Sequence, residues 1–403
     1  MSPVSFGGLL VVAVIALAAP LLVGLAPRAR IPADVVTILA GILVGPSVLG
    51  WVRIDPPITV LALLGLAFLL FLAGLELDLE RLRGPLLRLA VAGFAFSLAL
   101  GLAAGFAFSA AGWVRSPVLL AVALSATSLG LVVPILKDSG QLDRDLGQLV
   151  VVAASVADFG AILLLSFLFS ESADSTSTRL VLIGGLVLLV VAVALALSRL
   201  SMSMRLDGLL SRLQDTTAEI RVRIAIVLLV EFVAVAQEIG LEAILGAFLA
   251  GAILAAADRD TMSHPHFRLK LEAIGYGFLV PVFFVASGIR FDLQALAGSP
   301  SALARVPLFL LALLLVRGLP ALLYLRRVGR RGAAAAGLLQ ATSLPFLVTA
   351  VQIGLSTGQV GPATGAALTL AGLLSVVLFP VTALAQLDRI RPAPAVPAVT
   401  ADR

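Results

Sequence analysis

This sequence predicts an all-α polytopic membrane protein with about 13 transmembrane helices. Three observations lead to that fold class. Of its 403 residues, 60% are hydrophobic and only 13% are charged, whereas a soluble domain carries about 25% charged residues. Long apolar runs recur from end to end, for example over residues 181–197. The connections between the runs are short, so neither a separate soluble domain nor a soluble enzyme is expected.

The individual spans are predicted by cutting the chain at its clusters of charged, Pro and Gly residues. Each run needs about 20 apolar residues to cross a bilayer. The spans, numbered in this order, cover residues 6–26, 32–50, 57–76, 85–111, 116–136, 145–169, 180–198, 222–237, 241–257, 273–289, 303–325, 333–356 and 361–387. Because their number is odd, the two termini are predicted on opposite sides of the membrane.

The positions of the basic residues test this division. Most of the 28 Lys and Arg residues lie in one set of alternate connections. The opposite set holds only Arg53, Arg115, Arg179, Arg290 and Arg305. A missed or invented span would mix the two sets. Since Lys and Arg concentrate in cytoplasmic connections, the N-terminus is predicted outside and the C-terminus in the cytoplasm.

Three pairs of segments resemble each other in the same order and at nearly constant spacing. Partners lie an odd number of spans apart, so the two units are predicted to be inverted relative to each other. Inverted repeats with a substrate site near the middle of the bilayer are typical of secondary transporters. The pairs are residues 37–45 with 243–251, 74–79 with 288–293, and 126–129 with 341–344.

The third pair places the same sequence, Ala-Thr-Ser-Leu, near the middle of spans 5 and 12. Hydroxyls of Thr127, Ser128, Thr342 and Ser343 can satisfy backbone groups that a broken helix frees, and Pro345 removes a donor at the second position. We therefore expect two crossed, discontinuous helices that face each other at one depth. The alternative is two ordinary spans with Ser and Thr packing contacts.

Asp158 lies near the centre of span 6, where a carboxylate is costly and usually marks an ion or proton path. A structural Asp that caps a break is the alternative. Arg317 is the only cation well inside a span, so Asp158 is its predicted partner. Asp158, the hydroxyls of Thr127, Ser128 and Ser155 and the carbonyls of the broken helix can supply the oxygen ligands that a monovalent cation needs.

Other acidic residues are weaker candidates for a role in transport. Glu231 lies in the middle of span 8 with no basic partner in the spans; a structural role is favoured, and a second titrating group in a cavity is the alternative. Glu76 and Asp78 end span 3 at the predicted cytoplasmic edge, where a solvated helix end is the preferred interpretation.

Four segments resemble the bacterial monovalent cation/proton antiporters across essentially the whole chain. The resemblance implies an ion-binding Asp after crossed broken helices, which Asp158, Thr127 and Thr342 match, and a basic partner, which Arg317 matches. It also implies a homodimer in the bacterial cytoplasmic (inner) membrane. The segments are Leu39-Ala-Gly-Ile-Leu-Val-Gly-Pro46, Phe71-Leu-Ala-Gly-Leu-Glu-Leu-Asp78, residues 240–251 and Pro281-Val-Phe-Phe-Val-Ala-Ser-Gly288.

The same resemblance divides the chain into functional parts. Spans 4–6 and 11–13 (84–170 and 302–388) would form a moving core, and spans 1–3 and 8–10 (1–82 and 220–300) a dimer scaffold. Residues 179–200 would be a linking helix. Residues 389–403 would be a short cytoplasmic tail, without the nucleotide-sensing domain of the potassium-efflux relatives.

The function implied is electroneutral exchange of Na⁺ or K⁺ for protons by alternating access. Electroneutrality is expected because Ala157 stands where well-studied members have Asp or Asn, which leaves one carboxylate. A sodium-coupled symporter of a small organic anion is the alternative, and a channel is disfavoured. No cofactor, no metal beyond the transported cation, no nucleic acid and no enzymatic activity are expected.

Overall fold

A computed structural model describes residues 6–25, 32–76, 84–169, 184, 219–257, 265–298 and 300–388. Within these ranges most residues are helical, and the β contact is an isolated antiparallel bridge between Val114 and Val360. The helices are α1 (Phe6–Leu25), α2 (Ala33–Val44), α3 (Pro56–Leu75), α4 (Gly84–Ala110), α5 (Pro117–Ser125), α6 (Leu129–Asp138), α7 (Asp145–Phe169), α8 (Ile220–Glu238), α9 (Ala243–Ala257), α10 (Pro265–Ile274), α11 (Val280–Ile289), α12 (Leu293–Ala297), α13 (Pro300–Gly318), α14 (Leu325–Gln340), α15 (Pro345–Ser356) and α16 (Pro362–Asp388). A π-helical turn, Gly275–Leu279, joins α10 to α11, and a 3-10 turn, Leu319–Tyr324, joins α13 to α14.

The predicted all-α membrane fold is confirmed. In the described ranges, 7 helical stretches are long and apolar enough to cross a membrane, and shorter apolar helices accompany them. Several of these helices, α1 above all, expose large side chains such as Leu10, Leu17 and Leu25, an apolar surface that suits lipid rather than water. The count of spans stays a prediction; span 7 (180–198), apart from residue 184, and the tail (389–403) lie outside the described residues.

Two predicted span boundaries differ from the structure for local reasons. α2 ends at Val44 rather than near residue 50 because Gly45, which precedes Pro46, is held in an extended conformation. The predicted connection between spans 11 and 12 is itself helical. There the chain changes direction within α14 at Gly329, whose φ of 70° favours glycine.

The predicted breaks in spans 5 and 12 are both present. Ala126–Ser128 separates α5 from α6, and residues 341–344 separate α14 from α15. Pro345 begins α15, where its fixed φ and missing N–H are tolerated. The two breaks meet, since the Ser128 N–H donates to the Thr342 carbonyl over 3.0 Å.

Glycines allow two helix pairs to pack closely beside these breaks. A Cβ on Gly41 or Gly288 would collide with backbone across the α2–α11 contact, and one on Gly74 or Gly251 would do so across the α3–α9 contact. Small residues let helix backbones approach in this way. Under the predicted inverted repeat these two pairs are equivalent, so the packing supports the repeat, which itself stays a prediction.

Candidate ion-binding site

Asp158 lies on α7 and faces the first helix break. Its Oδ1 accepts the Thr127 N–H over 3.1 Å, and its Oδ2 accepts the Leu129 N–H over 3.3 Å. These donors are free because the break removes their helical acceptors. Leu129 begins α6, and the N-terminus of a helix favours an anion. The first break therefore presents two backbone N–H donors to the carboxylate of Asp158.

Arg317 lies near the end of α13 with only 1% of its surface exposed. Its guanidinium donates to the Thr127 hydroxyl twice, from Nε over 2.9 Å and from Nη2 over 2.6 Å. Nη1 donates to the Ser97 hydroxyl over 3.1 Å. A buried charge is tolerated when its hydrogen-bonding groups are satisfied, and here hydroxyls of the first break and of α4 are its acceptors.

The predicted pairing of Arg317 with Asp158 is indirect in this conformation. Among the ion pairs of the described residues, none joins these two side chains. Thr127 lies between them, with its amide on Asp158 and its hydroxyl on Arg317. The opposite charges still attract across this bridge, which offsets part of the cost of burying both.

The Thr127 hydroxyl is fully used by these contacts. A hydroxyl has one donor and two acceptor lone pairs. The donor goes to the Gln340 carbonyl over 2.8 Å, and Arg317 takes both lone pairs. As a cation ligand, Thr127 therefore stays a prediction that requires Arg317 to move. In this conformation it positions the guanidinium.

A cavity of about 50 Å³ reaches the carboxylate of Asp158. Its lining includes Thr127 and Ser128 from the first break, and Glu76 and Tyr276 from the predicted scaffold. A water molecule takes roughly 30 Å³ in the liquid, so this space fits a partly hydrated ion. The cavity is narrow, and it lies between the two parts of the chain that the sequence assigns to scaffold and core.

The interpretation of Glu76 as a solvated helix end is wrong. Glu76 follows the last residue of α3, and only 18% of its side-chain surface is exposed. It lines the same cavity as Asp158. Its place in the repeated segment pairs it with Arg290 but does not signal this burial. Asp78 lies outside the described residues.

The second break has different neighbours. The Thr342 hydroxyl donates to the Leu338 carbonyl of its own helix over 3.2 Å. The Ser343 N–H donates to the Ser375 hydroxyl over 3.3 Å, and the proton of that hydroxyl has two acceptors in reach, the Gly372 carbonyl at 2.7 Å and the Ser343 carbonyl at 3.2 Å. Pro345 lines the cavity. Sequence reasoning missed Ser375, since a serine in an apolar helix is an ordinary occurrence.

The remaining predicted residues are placed as follows. Ser155 is buried three residues before Asp158 on α7, so both side chains lie on one helix face. Ala157 is fully buried. Glu231 is exposed on α8 and is not among the residues that line the cavity. Ser155 as a ligand and Glu231 as a titrating group both stay predictions.

Two broken helices and a carboxylate at their meeting point are the polar features of a secondary transporter. Sequence comparison identifies the family: the family described as "Sodium/hydrogen exchanger, transmembrane" matches residues 13–385, and the chain belongs to it. The resemblance seen in the sequence is confirmed.

Individual relatives agree with this family. YjbQ of Bacillus subtilis, whose name places it among Na⁺/H⁺ antiporters, is 28% identical over 94% of this chain, which spans 63% of that relative's length. The Na⁺/H⁺-K⁺ antiporter GerN of Bacillus cereus is 30% identical over 70% of this chain and 71% of its own length. The sodium proton antiporter MjNhaP1 of Methanocaldococcus jannaschii shares the fold, with a TM-score of 0.63 at 15% identity over 94% of this chain and 97% of its own.

Proposed function

We propose that this protein is a secondary antiporter that exchanges a monovalent cation, Na⁺ or K⁺, for protons. The observation that carries the proposal is Asp158, a carboxylate held by the two amides of a helix break at the end of a narrow cavity. The names of the relatives support the same exchange. They give no support to the symporter alternative.

The exchange follows from one carboxylate, Asp158, that binds either a proton or a cation but not both. A proton on Asp158 removes the charge that holds a cation, and a bound cation excludes the proton. Carbonyls of an unwound helix can replace part of a cation's hydration shell. Ser128 lines the cavity next to Asp158, and with Ser155 it is the proposed source of hydroxyl ligands.

Alternating access would come from movement of the core (84–170 and 302–388) against the scaffold (1–82 and 220–300), with residues 179–200 as the linking helix. The location of the cavity supports this division, because α3 and the π-helical turn line one side and α6, α7 and α15 line the other. Rigid-body movement of one such bundle against another is a general means of exposing a midplane site to each side in turn.

The proposal extends to the setting of the protein. It would act as a homodimer in the bacterial cytoplasmic membrane, with the N-terminus outside and the C-terminus in the cytoplasm, as the distribution of Lys and Arg favours. It would be a transporter and not an enzyme, and it would need no cofactor.

The test is proton flux in proteoliposomes that contain the purified protein, with Na⁺, K⁺ and Li⁺ added in turn. We expect a pH change inside the liposomes that depends on at least one of these cations. Absence of cation-dependent proton flux in well-folded protein would overturn the proposal. Cation uptake that is coupled to an organic anion, without proton counterflow, would favour the symporter instead.

A further inference from the structure

Glu76 is a second carboxylate in the cavity of Asp158, and the proposed exchange does not use it. Its Oε2 is buried and has no hydrogen-bond partner in the described part of the chain. A buried carboxylate oxygen without a partner is costly. Because the side chain lines the cavity, a cation inside that cavity would satisfy it.

The charges around Glu76 leave it without a strong protein partner. Nη2 of Arg268 lies 3.8 Å from Oε1 of Glu76, while Nε of the same guanidinium lies 2.8 Å from Glu272. Half of the Arg268 side chain is exposed, and exposed ion pairs contribute little. Glu272 on α10 acts on Glu76 electrostatically, and Asp34 on α2 acts, as Glu76 does, on Tyr276 of the π-helical turn. These neighbours favour a cation near Glu76.

The cavity on the opposite side of the protein differs from that of Glu76 in size and in charge. Arg290 stands where the predicted repeat places the counterpart of Glu76. It lines a wider cavity of about 900 Å³, together with polar residues such as Gln352. Under the predicted topology, the narrow cytoplasmic entrance therefore carries a carboxylate and the wide external one carries a guanidinium.

We propose that Glu76 forms an outer cation-binding site, where a partly hydrated monovalent cation binds before it reaches Asp158. The proposal rests on the proposed antiport and deepens it, because it assigns a residue to cation capture on one side of the membrane. Glu76 belongs to the predicted scaffold and Asp158 to the predicted core, so a cation would pass from the fixed part of the protein to the moving part.

The test is the KM for the transported cation in everted membrane vesicles, where the cation is added to the cytoplasmic face. Glu76→Gln removes the charge at constant size. We expect KM to rise about tenfold, which corresponds to losing about 1.4 kcal/mol of attraction between the carboxylate and the cation. Glu76→Asp should restore most of the affinity. Arg268→Gln should lower KM because it removes a competing cation.

Asp143→Asn is the matched control. Asp143 is an exposed carboxylate on the same predicted side, and the cavity lining does not include it. Its removal should leave KM unchanged. The same measurement with the cation on the external face should show no effect of Glu76→Gln, which separates a binding role from a structural one.

An unchanged KM in folded Glu76→Gln would overturn the outer site, as would a loss that Glu76→Asp does not reverse. A changed pH profile with an unchanged KM would also overturn it and would make Glu76 a proton relay. Failure of the antiport itself is distinguishable, because the wild-type protein would then show no cation-dependent proton flux.

Discussion

The two helix breaks have the same sequence, Ala-Thr-Ser-Leu, but different chemistry. At the first break the Thr127 amide binds Asp158 and the Thr127 hydroxyl binds Arg317. At the second, the Thr342 hydroxyl bonds within its own helix, and the backbone of Ser343 bonds to Ser375. The repeated residues determine where the backbone opens. The unrepeated residues determine which opening carries charge.

The largest expected effect comes from removing the carboxylate at the first break. Asp158→Asn should abolish cation-dependent proton flux, because the amide cannot exchange a proton for a cation. The Asn side chain has one acceptor oxygen where Asp has two, so one of the two hydrogen bonds from the backbone amides is lost. Such a bond contributes on the order of 1 kcal/mol, so the protein should still fold. Flux in proteoliposomes and the melting temperature check both points.

Glu231→Gln is the control for this substitution. It removes the exposed carboxylate of α8, away from both breaks, and flux should be retained. Wild-type rates in folded Asp158→Asn would show that the charged break is not the transport site. Loss of flux in Glu231→Gln would show that the predicted scaffold also contributes a titrating group.

The next largest effect is expected for Arg317, the cationic side chain at the first break. Arg317→Ala would leave the Thr127 and Ser97 hydroxyls without their donor and Asp158 without its nearby positive charge. Removing one member of a buried charge pair costs about 3–5 kcal/mol, so a large drop in melting temperature is expected.

Arg317→Lys should be milder and should keep activity with a shifted pH profile. Lysine retains the charge but lacks the planar fork that spans Thr127 and Ser97. Equal melting temperatures and pH profiles for Arg317→Ala and wild type would contradict the proposed electrostatic role. A pH profile in Arg317→Lys identical to that of wild type would show that the geometry of the fork is unimportant.

A smaller effect compares the two breaks directly, with the same substitution at equivalent positions. Thr127→Val removes the acceptor of two buried guanidinium donors and leaves Nε with a long bond of 3.4 Å to the Gln340 carbonyl, at a cost of about 1–3 kcal/mol. Thr342→Val removes one hydroxyl bond within a helix and should cost less than about 1 kcal/mol. Denaturation midpoints of the two variants measure the difference. Equal losses would mean that the breaks are energetically equivalent.

Much of the fold and part of the site could be predicted from the sequence. In a chain with 13% charged residues, each polar residue inside an apolar run is conspicuous, which is why Asp158 and Arg317 stood out. The two breaks were predictable because the same four residues recur where a span is half complete, and Pro345 follows the second.

The contacts between these residues were not predictable. Ser and Thr hydroxyls often bond to their own helix, as Ser287 does to the Phe283 carbonyl, so the sequence did not distinguish Thr127 from Thr342. Ser97 and Ser375 have no sequence signal for the same reason. The burial of Glu76 depends on the packing of α3 against the π-helical turn, and local sequence does not specify that packing.

The smallest expected effect is that of membrane voltage on the exchange rate. This expectation follows from the difference in charge between the two breaks. One carboxylate, Asp158, lies at the first break, and the described contacts of the second break involve hydroxyl and backbone groups. Ala157 adds no charge, and Arg317 stays positive in both loaded states because guanidinium does not deprotonate in proteins. We therefore expect one proton to exchange for one monovalent cation, with no net charge crossing the membrane.

Voltage contributes about 2.3 kcal/mol per charge per 100 mV, so an electroneutral cycle should be insensitive to it. Exchange should be measured with Na⁺ in proteoliposomes clamped by valinomycin at several potentials, with protein-free liposomes as the control. We expect the same rate and endpoint at every potential. A rate or endpoint that follows the voltage would require a second group whose charge changes during the cycle. Glu76, which shares the cavity with Asp158, would then be examined before the exposed Glu231.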